Sequence, residues 1–556
     1  MSTILVFLAL LVALTPLLGS YMHRVYTRER IGRAEALVYR LIGVRPTVEQ
    51  TWRRYASSML WFSLAGMVFL YLLLRVQGHL DLSPQSLGGV NPFVAFNTAA
   101  SFVTNTDWQA YGGETTLSYL SQTLGLTTQL FVSAAVGMSA LLALIRGFVR
   151  TDTDQVGNFW RDMVRSVLYI LLPLAGIVAL ILVAQGAVQN LGPYRPAQGV
   201  QGFRQLVSQG PAASFTAISE LGTNGGGFFN ANSAHPFQNP TPITNLVLTL
   251  SIVVIPAALT FTFGKMVGSV RQGWALFAAM LILLLAGLAV TVPVERTASE
   301  AMRAVGLPAS TPNLEGKEVR FGADGSSLWS MVTTAVANGS VNSMHDSYKP
   351  LSGAVQIFNM AVGEVIFGGA GSGLIGMLFY AILAVFIGGL MVGRTPEFLG
   401  KKIRAREVKL TIIGLAAPFL LVLGLTAVAV VIPSGLDARL NVGPHGFSEI
   451  LYAFVSQANN NGSALAGLDG ARPFYAVAGG VAMLLGRFVP LLAALALAGS
   501  LGGQGKVPVT SGTLRTDTGL FVGFLIAVVL IAGALTFLPA LSLGPIVEAL
   551  SHGRLF

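Results

Sequence analysis

Long apolar segments recur from one end of this 556-residue chain to the other, and they constrain its fold more than any other feature. Each is long enough to cross the hydrocarbon core of a bilayer as a helix. Only 10% of the residues are charged and 53% are hydrophobic, whereas a soluble domain has about 25% charged residues. The sequence therefore predicts an all-α polytopic membrane protein with about ten transmembrane helices, at residues 3–20, 57–76, 118–145, 166–187, 245–264, 274–293, 374–392, 410–432, 475–498 and 519–538.

The basic residues indicate how these segments are oriented. The loop after the first segment has eight arginines between Arg24 and Arg54, whereas the next loop, 77–117, has no lysine or arginine. The first segment lacks the basic start and the cleavage site of a signal peptide, so we expect it to be retained. Because basic loops face the cytoplasm, both termini are predicted to lie outside. The net charge of +10 is then explained by these loops, and no nucleic-acid partner is expected.

No polar linker divides the chain, so we expect a single membrane domain over 1–556. The outer segment 294–326, rich in charge, proline and glycine, is expected to be an external cap, ordered or flexible, rather than a second domain. The predicted parts are an outer helix with a basic cytoplasmic loop at 1–56, four pore repeats at 57–146, 163–267, 274–392 and 408–502, and a C-terminal transmembrane helix with its tail at 503–556.

The four repeats are recognised from the outer loops, each of which has a moderately apolar stretch followed by small polar residues. In order they contain AFNTAASFVTNTDWQAYGG, SFTAISELGTNGGGFFNANSAHP, MVTTAVANGSVNSMHDSYKPLSG and ILYAFVSQANNNGSALAGL. A nearly even spacing of one asparagine in each loop indicates an internal repeat. The alignment assigns the polar steps to Thr104, Asn105 and Thr106, to Thr223, Asn224 and Gly225, to Val341, Asn342 and Ser343, and to Ala458, Asn459 and Asn460.

This pattern predicts four re-entrant loops around a central pore. Irregular backbone at membrane depth is tolerated only where it is buried in protein or lines a wet cavity. Four such loops around one axis present backbone carbonyls that can replace the hydration shell of an ion. The apolar stretch before each loop suits a short pore helix, whose carboxyl end favours a cation. The twelve aligned residues are therefore predicted to bind an ion as a selectivity filter.

The residue types in the filter also restrict the ion. Calcium and magnesium sites use several oxygen ligands, usually with carboxylates among them. The aligned steps offer threonine, glycine, serine and asparagine but no carboxylate, which favours a weakly hydrated monovalent cation. Selectivity for potassium over sodium does not follow from these residues, because it depends on geometry and field strength.

At these residues the chain resembles the A subunits of the Kdp-type potassium-transporting ATPases of bacteria. The matching stretches include TNTDWQAYGGE, ELGTNGGGFFNANSAHPFQNPTP, VNSMHDS, QANNNGSALAGL and the segment from GEVIFGGAGSGLIGM to GLMVGRTPEFLGKKI. They are spread over the whole chain. The resemblance implies the fold of the superfamily of potassium transporters, with K+ bound at the filter residues. It also implies that Gln109 and Gly225 influence potassium affinity and selectivity.

The same resemblance implies partners and a location. We expect a catalytic B subunit, which is a P-type ATPase, a C subunit with one span and a small F subunit, together in the inner membrane of a bacterium and surrounded by lipid. The chain has no phosphate-binding loop of the Gly-x-x-x-x-Gly-Lys-Ser/Thr type and no Asp-Lys-Thr-Gly sequence. We therefore expect no cofactor in this chain and K+ as its bound substrate, with ATP and Mg²⁺ on the catalytic partner.

One arginine, Arg487, interrupts an apolar segment of the fourth repeat. A buried arginine in a membrane normally faces a wet cavity or a partner, although snorkelling to the interface is the alternative. Beyond a cation filter it would stop ions from leaking through, and the resemblance implies that a comparable arginine holds or diverts the ion. We expect Arg487 to act in gating or coupling.

The third repeat contains a glycine-rich stretch, NMAVGEVIFGGAGSGLIG, that includes Glu364, Gly369 and Gly371. So many glycines make a poor continuous helix, although close packing of helices is an alternative explanation. The functional hypothesis is a broken span whose loop lies across the pore and serves as a gate. Glu364 is then either a waypoint for the cation or a buried hydrogen-bonding group.

Two other classes of function compete with a transport ATPase subunit. A potassium channel or cation symporter that acts alone has the same pore architecture, and the repeats do not separate it from the ATPase subunit. The stretch at 363–403 favours the ATPase subunit. A membrane-embedded enzyme is disfavoured, because the sequence has no cysteine and its predicted spans carry no paired carboxylates and no His-Glu metal cluster.

Overall fold

The computed structural model describes residues 2–508 and 513–551, and ten helices in that part are long and apolar enough to cross a membrane. This confirms the predicted fold class. Residues 1, 509–512 and 552–556 of the predicted single domain lie outside the described residues. Numbered as spans 1 to 10, the helices are Ser2–Thr27, Trp52–His79, Ser121–Val149, Phe159–Ala184, Pro242–Met266, Val270–Ala304, Ser372–Val392, Ala405–Ala429, Pro473–Gly502 and Gly519–Leu550.

Four shorter helices lie between consecutive spans and are called pore helices 1 to 4. They separate spans 2 and 3, spans 4 and 5, spans 6 and 7, and spans 8 and 9. The element order therefore has four successive units of span, pore helix and span, with spans 1 and 10 outside them. The pore helices are Pro92–Val103, Ala212–Leu221, Gly322–Ala335 and Gly443–Asn459.

The second span of a repeat lies closer to the centre of the protein than the first. In the most apolar 18-residue stretch of spans 3 and 5, 83% is buried inside the protein. In spans 2, 4 and 8 the corresponding share is 28%. Span 6 is more buried because span 10 packs against it. Span 1 packs along span 5, where the Thr262 hydroxyl donates a hydrogen bond to the Gly19 carbonyl oxygen at 3.1 Å.

Local sequence signals explain where several of these helices begin. The Asn91 side chain accepts a hydrogen bond from the Phe93 amide at 2.9 Å, and Pro92 occupies the first turn of pore helix 1. Span 5 begins with a reciprocal cap between Thr241 and Thr244. A polar cap followed by proline satisfies amides that the first helical turn leaves without partners.

The third repeat differs from the others, because its second membrane helix is broken. A half-helix, Pro350–Ala361, ends before the glycine-rich stretch, and span 7 begins only at Ser372. We call residues 362–371 the glycine loop. The left-handed φ of 86° at Gly363 and 91° at Gly371 suits glycine at both of its ends.

Short elements complete the connections between the spans. Strand pairs, all antiparallel, join neighbouring loops, and short helices lie at the ends of spans. The paired strands are Gln50–Thr51 with Gln155–Gly157, Arg195–Gln198 with Arg204–Val207, and Glu397–Phe398 with Lys401–Lys402. The short α-helices outside the spans are Arg33–Leu41, Gly113–Thr116 and Pro433–Leu436, and the separate 3₁₀ turns are Asn232–Ala234 and His345–Ser347.

The external segment 294–326 is an ordered cap on the third repeat. Its Lys317 ammonium group lies 3.1 Å from the Glu295 carboxylate and 4.1 Å from the centre of the Tyr348 ring. The Asn313 amide donates to the same carboxylate at 2.8 Å. Burial lowers the pKa of Lys317, and the facing carboxylate opposes that shift. Breaking such a buried pair on one side leaves an uncompensated charge, so the cap is held firmly.

Candidate functional site

The loops that follow the pore helices can be aligned by their backbone hydrogen bonds. In repeat 1 the Ser101 carbonyl accepts from the Thr106 amide at 3.0 Å. In repeat 2 the Ser219 carbonyl accepts from the Asn224 amide at 3.0 Å. In repeat 4 the Ser456 carbonyl accepts from the amide five residues later at 2.8 Å. These bonds make Thr106, Asn224 and Asn461 equivalent.

The third loop follows the same plan with different bonds. The Thr333 hydroxyl donates to the Ser340 carbonyl at 2.8 Å, as the Ser101 hydroxyl donates to the Trp108 carbonyl at 3.0 Å. Counting from these hydroxyl residues, Asn338 occupies the place of Thr106 in repeat 1. The four equivalent positions are thus Thr106, Asn224, Asn338 and Asn461, and we call them the filter positions after the predicted role of these loops.

The residue after each filter position has a left-handed backbone in all four repeats. The φ angles are 88° at Gly225, 76° at Gly339 and 103° at Gly462, and Asp107 takes the same position in repeat 1 with a φ of 52°. Glycine adopts this geometry at no steric cost, whereas aspartate is one of the few other residues that tolerate it. An acidic side chain therefore stands where the other repeats have none.

The three glycines bring the backbones of neighbouring repeats into direct contact. A Cβ atom added at Gly225 would overlap the carbonyl oxygen of Asn338, the filter position of repeat 3. A Cβ at Gly339 would likewise overlap the Asn461 carbonyl, and a Cβ at Gly462 the Thr106 carbonyl. Repeat 2 thus touches repeat 3, repeat 3 touches repeat 4, and repeat 4 touches repeat 1. Each of these three contacts is made by the carbonyl of a filter position.

Side-chain amides cross-link the same ring. Between repeats 1 and 2, the Asn105 amide donates to the Thr223 carbonyl at 2.7 Å. The Asn461 amide donates from repeat 4 to the Thr333 carbonyl of repeat 3 at 2.9 Å. The Asn460 amide donates from repeat 4 to the Thr106 hydroxyl of repeat 1 at 2.9 Å. The loops are therefore fixed to one another by buried hydrogen bonds, which are costly to break.

Gln109, predicted to influence selectivity, joins the first two loops above this ring. Its side-chain amide donates to the Gly227 carbonyl at 2.9 Å, and its carbonyl oxygen accepts from the Gly227 amide at 2.8 Å. This two-way pairing aligns the first loop with the glycine-rich turn of the second. This geometry indicates that Gln109 positions the first filter loop.

The structure brings the predicted residues of repeats 1 and 2 together, but it separates those of repeats 3 and 4. Thr104, Asn105 and Thr106 lie in the first loop, and Thr223, Asn224 and Gly225 lie in the second. Val341, Asn342 and Ser343 follow the turn of the third loop, where the Asn342 amide donates to the Asn245 side chain at 2.9 Å. Ala458 and Asn459 end pore helix 4, and only Asn460 of that step enters the loop.

The alignment therefore missed Asn338 and Gly339 in repeat 3, and Asn461 and Gly462 in repeat 4. A usable signal was present, because an Asn-Gly pair occurs at 224–225, 338–339 and 461–462. The assumption of even spacing concealed these pairs, because loops of different length make the spacing between equivalent positions uneven. The assignment of ion binding to particular residues stays a prediction.

The glycine loop packs against the second and third filter loops. Its Ala370 amide donates to the Thr223 hydroxyl at 2.7 Å, directly behind the second filter loop. A Cβ at Gly369 would lie 3.2 Å from the Ala337 side chain, and a Cβ at Gly371 would overlap the Gly137 carbonyl in span 3. The loop is thus wedged between two filter loops and an inner span.

Arg487 lies in span 9 and is buried, with 4% of its surface exposed. Its guanidinium donates to the Ser372 hydroxyl at 2.9 Å and to the Ser133 carbonyl at 3.4 Å. Among the described residues no carboxylate lies within ion-pair distance of it. The arginine therefore presents a positive charge beside the start of span 7.

A cavity begins at this arginine and extends between spans 7, 8 and 9. Glu364 lies in its wall, as do Asn459, the last residue of pore helix 4, and Asn460, the first residue of the loop that follows. Its far end is apolar, with Phe379, Leu415 and Pro418 among the lining residues. The cavity lies between the filter side of the fourth repeat and span 8, which is mostly exposed.

A second carboxylate lies behind the filter, on pore helix 2. Glu220 is fully buried and accepts hydrogen bonds from the Ser340 hydroxyl at 2.7 Å and from the Ser233 hydroxyl at 3.2 Å. The sequence alignment found no carboxylate at the filter steps, whereas Asp107 and Glu220 both border the loops. Both side chains are buried beside a ring otherwise made of neutral oxygens and helix carboxyl ends.

Comparison with known proteins gives one consistent result. The family described as KdpA, Potassium-transporting ATPase A subunit, matches residues 5–550. Similar proteins named potassium-transporting ATPase potassium-binding subunit occur in Rhodospirillum centenum, at 54% identity over 100% of this chain and 98% of that protein, in Methylorubrum extorquens, at 54% over 97% and 95%, and in Mesorhizobium japonicum, at 51% over 100% and 99%.

Proposed function

The chain belongs to the potassium-transporting ATPase A subunit family, and we propose that it is the potassium-binding, channel-like subunit of an ATP-driven K+ uptake complex. The observation that carries this proposal is the closed ring of four loops at the carboxyl ends of four pore helices. Such a ring presents backbone carbonyls to a dehydrated cation from several directions. Relatives over the whole chain bear the name potassium-binding subunit, which supports K+ as the ion.

The substrate K+ binds at the filter through neutral oxygens. The backbone carbonyls at Thr106, Asn224, Asn338 and Asn461 are the four equivalent oxygens that the loops provide. The negative ends of the pore-helix dipoles favour a cation over an anion. One positive charge requires little compensation, and this set supplies it without the ring of coordinating carboxylates that a divalent ion uses.

Beyond the filter, the glycine loop and Arg487 control what the ion does next. The loop packs behind the second filter loop through the hydrogen bond from Ala370 to Thr223. The arginine repels a cation that would continue straight through. Glu364 and the polar end of the cavity between spans 7, 8 and 9 offer the ion a route away from that charge. Passage is thus restrained in this chain and completed with a partner.

The energy for uptake comes from a partner P-type ATPase, the catalytic B subunit, which holds ATP and Mg²⁺. The C subunit and the small F subunit complete the complex in the inner membrane, with both termini of this chain on the outer side. The name that the relatives share, a subunit of a potassium-transporting ATPase, supports the existence of an ATPase partner.

The proposal is tested by purifying this chain in mild detergent from its natural host and measuring ATP hydrolysis in the copurified fraction. We expect hydrolysis to be stimulated by potassium, and we expect Gly225→Asp to change the ion dependence. If the chain purifies alone and passes rubidium into liposomes without ATP, it is a channel or carrier and the proposal is wrong.

A further inference from the structure

Away from the filter ring, four acidic and histidine side chains from three parts of the fold meet beside the third and fourth repeats. His445 and Glu449 lie on pore helix 4, Asp346 lies in the turn after filter loop 3, and Glu548 lies in the last helical turn of span 10. The His445 ring contacts Asp346 through Nε2 and Glu548 through Nδ1, both at 3.0 Å. Asp346, His445 and Glu449 each offer one atom that could bind a metal ion, and these three atoms lie within 4.8 Å of one another.

Among the described residues, the acidic side chains of this cluster outnumber its one imidazole. Three carboxylates surround one imidazole, so the group keeps a net negative charge even when the ring is protonated. Asp346, His445 and Glu548 are each less than a fifth exposed, where water screens repulsion poorly. The protonated His445 ring compensates part of the carboxylate charge, and a bound cation would compensate the rest.

Backbone and side-chain amides donate hydrogen bonds that hold the carboxylates of Asp346 and Glu449 in place. The Gly467 amide donates to Asp346 at 3.1 Å. The Leu440 amide donates to Glu449 at 3.2 Å, and the Asn441 side chain donates to it at 2.7 Å. Outer hydrogen bonds of this kind orient the ligands of metal sites and keep their carboxylates ionised. Both oxygens of Asp346 and both oxygens of Glu449 thus have a hydrogen-bond partner, and each keeps a second lone pair for a cation.

A cavity next to the cluster contains a buried polar atom without a hydrogen-bond partner among the residues that the structure describes. It is lined by Asp346, His445, Glu548 and His345. The His345 residue is 3% exposed, its Nδ1 atom is 2.8 Å from the Tyr452 hydroxyl, and its Nε2 atom makes no hydrogen bond. Buried polar atoms almost always have a partner. His345 therefore offers a buried imidazole nitrogen that has no hydrogen-bond partner in the described part of the chain, in a cavity that Asp346, His445 and Glu548 also line.

We propose that Asp346, His445 and Glu449 form a binding site for one divalent transition-metal ion, of which Zn²⁺ is the best match. Mixed imidazole and carboxylate ligands suit Zn²⁺, whereas Mg²⁺ prefers oxygen ligands and retains its waters. Glu548 and His345 border the same space and are available to complete the coordination. The ion ties the turn after filter loop 3 to pore helix 4 and to the end of span 10, so it stabilises the region around the filter without lying on the path of K+.

The test uses the full-length chain, purified with its partners through a tag without histidines and freed of metal with a chelator. Zn²⁺ alone is titrated, and bound metal is measured by elemental analysis after equilibrium dialysis. We expect one Zn²⁺ per chain and a higher melting temperature. His445→Gln and Asp346→Asn are each expected to weaken binding at least about tenfold. The double variant His79→Gln, Asp81→Asn, which changes an exposed pair of the same types, is expected to leave binding unchanged.

A measurement on the unaltered chain covers the case in which a variant fails to fold. Co²⁺ in place of Zn²⁺ gives visible absorption bands when nitrogen and oxygen ligands bind it in a tetrahedral site, and Zn²⁺ is expected to abolish them. The proposal is overturned if the unaltered chain binds no Zn²⁺ and gives no such bands. It is also overturned if folded His445→Gln binds Zn²⁺ as tightly as the unaltered chain.

Discussion

Replacement of Gly225 by alanine tests whether the ring of carbonyls binds the ion. Two adjacent glycines, Gly225 and Gly226, have left-handed φ angles of 88° and 70°. An alanine at either position incurs a similar backbone strain of roughly 1–2 kcal/mol. Only at Gly225 would the new methyl group overlap the Asn338 carbonyl oxygen, while at Gly226 the nearest backbone atom is the Asp107 carbonyl oxygen at 3.1 Å. The pair therefore separates strain from displacement of the carbonyl.

The magnitude follows from what the methyl group displaces. The Asn338 carbonyl would have to move by roughly 2 Å to restore ordinary van der Waals contact. A movement of that size removes one oxygen from the ion, and an interaction of this kind with a charged group contributes about 1.5–3 kcal/mol. We therefore expect Gly225→Ala to raise the potassium concentration for half-maximal activation by roughly 10- to 150-fold. Gly226→Ala is expected to change it far less.

The assay is potassium-stimulated ATP hydrolysis by the purified complex, measured over a range of potassium concentrations for both variants. Assembly of each complex is checked first by size-exclusion chromatography, because a variant that fails to assemble says nothing about affinity. If assembled Gly225→Ala keeps the unaltered half-activation concentration, the Asn338 carbonyl does not bind the ion. Equal losses in Gly225→Ala and Gly226→Ala would mean that loop strain, and not the carbonyl, sets the affinity.

Three further predictions concern residues around the ring. Arg487→Ala is expected to lower potassium uptake per ATP hydrolysed in proteoliposomes, because the barrier to straight passage is gone, and Arg487→Lys is expected to keep most of the coupling. Thr223→Val leaves the buried Ala370 amide without its acceptor, which costs about 1–3 kcal/mol and is expected to lower the melting temperature. Burial lowers the pKa of His235 to about 4, so its contribution to stability is present above about pH 6.5 and is lost as the pH falls through 4, measured by thermal unfolding.

Each of these predictions has a result that would contradict it. Unchanged uptake per ATP in Arg487→Ala would remove the arginine from coupling. Thr216→Val is the control for Thr223→Val, because the buried Thr216 hydroxyl on pore helix 2 makes no hydrogen bond, and equal effects of the two would refute the role of the Ala370 contact. His235→Asn is expected to reduce the loss of stability between pH 6.5 and 4, and an unchanged pH profile would contradict that assignment.

The sequence predicts the ten spans and the four pore units well, because both depend on local hydropathy and element order. The filter loops of repeats 3 and 4 were placed incorrectly relative to the backbone, and the reason is physical. Even spacing assumes outer loops of equal length, whereas the position of a turn is fixed by a residue that tolerates a left-handed backbone, such as Gly339 or Gly462. The Asn-Gly pairs report that requirement directly. The contacts of Asn105, Asn461 and Arg487 join residues far apart in the chain, and no local pattern encodes them.

A pore of four unequal repeats has a capability that four identical subunits lack, because each repeat can change alone. Repeat 1 has Asp107 where the others have glycine, repeat 3 has a broken helix and the glycine loop, and repeat 4 has Arg487. Identical subunits would place four arginines around the axis, at several kcal/mol of repulsion and desolvation. One arginine and one inserted loop lie on one side only, with the cavity between spans 7, 8 and 9 beside them. Under the proposed function, such an asymmetric obstruction would convert a selective pore into a selective entrance, from which the ion continues only where a partner provides the rest of the path.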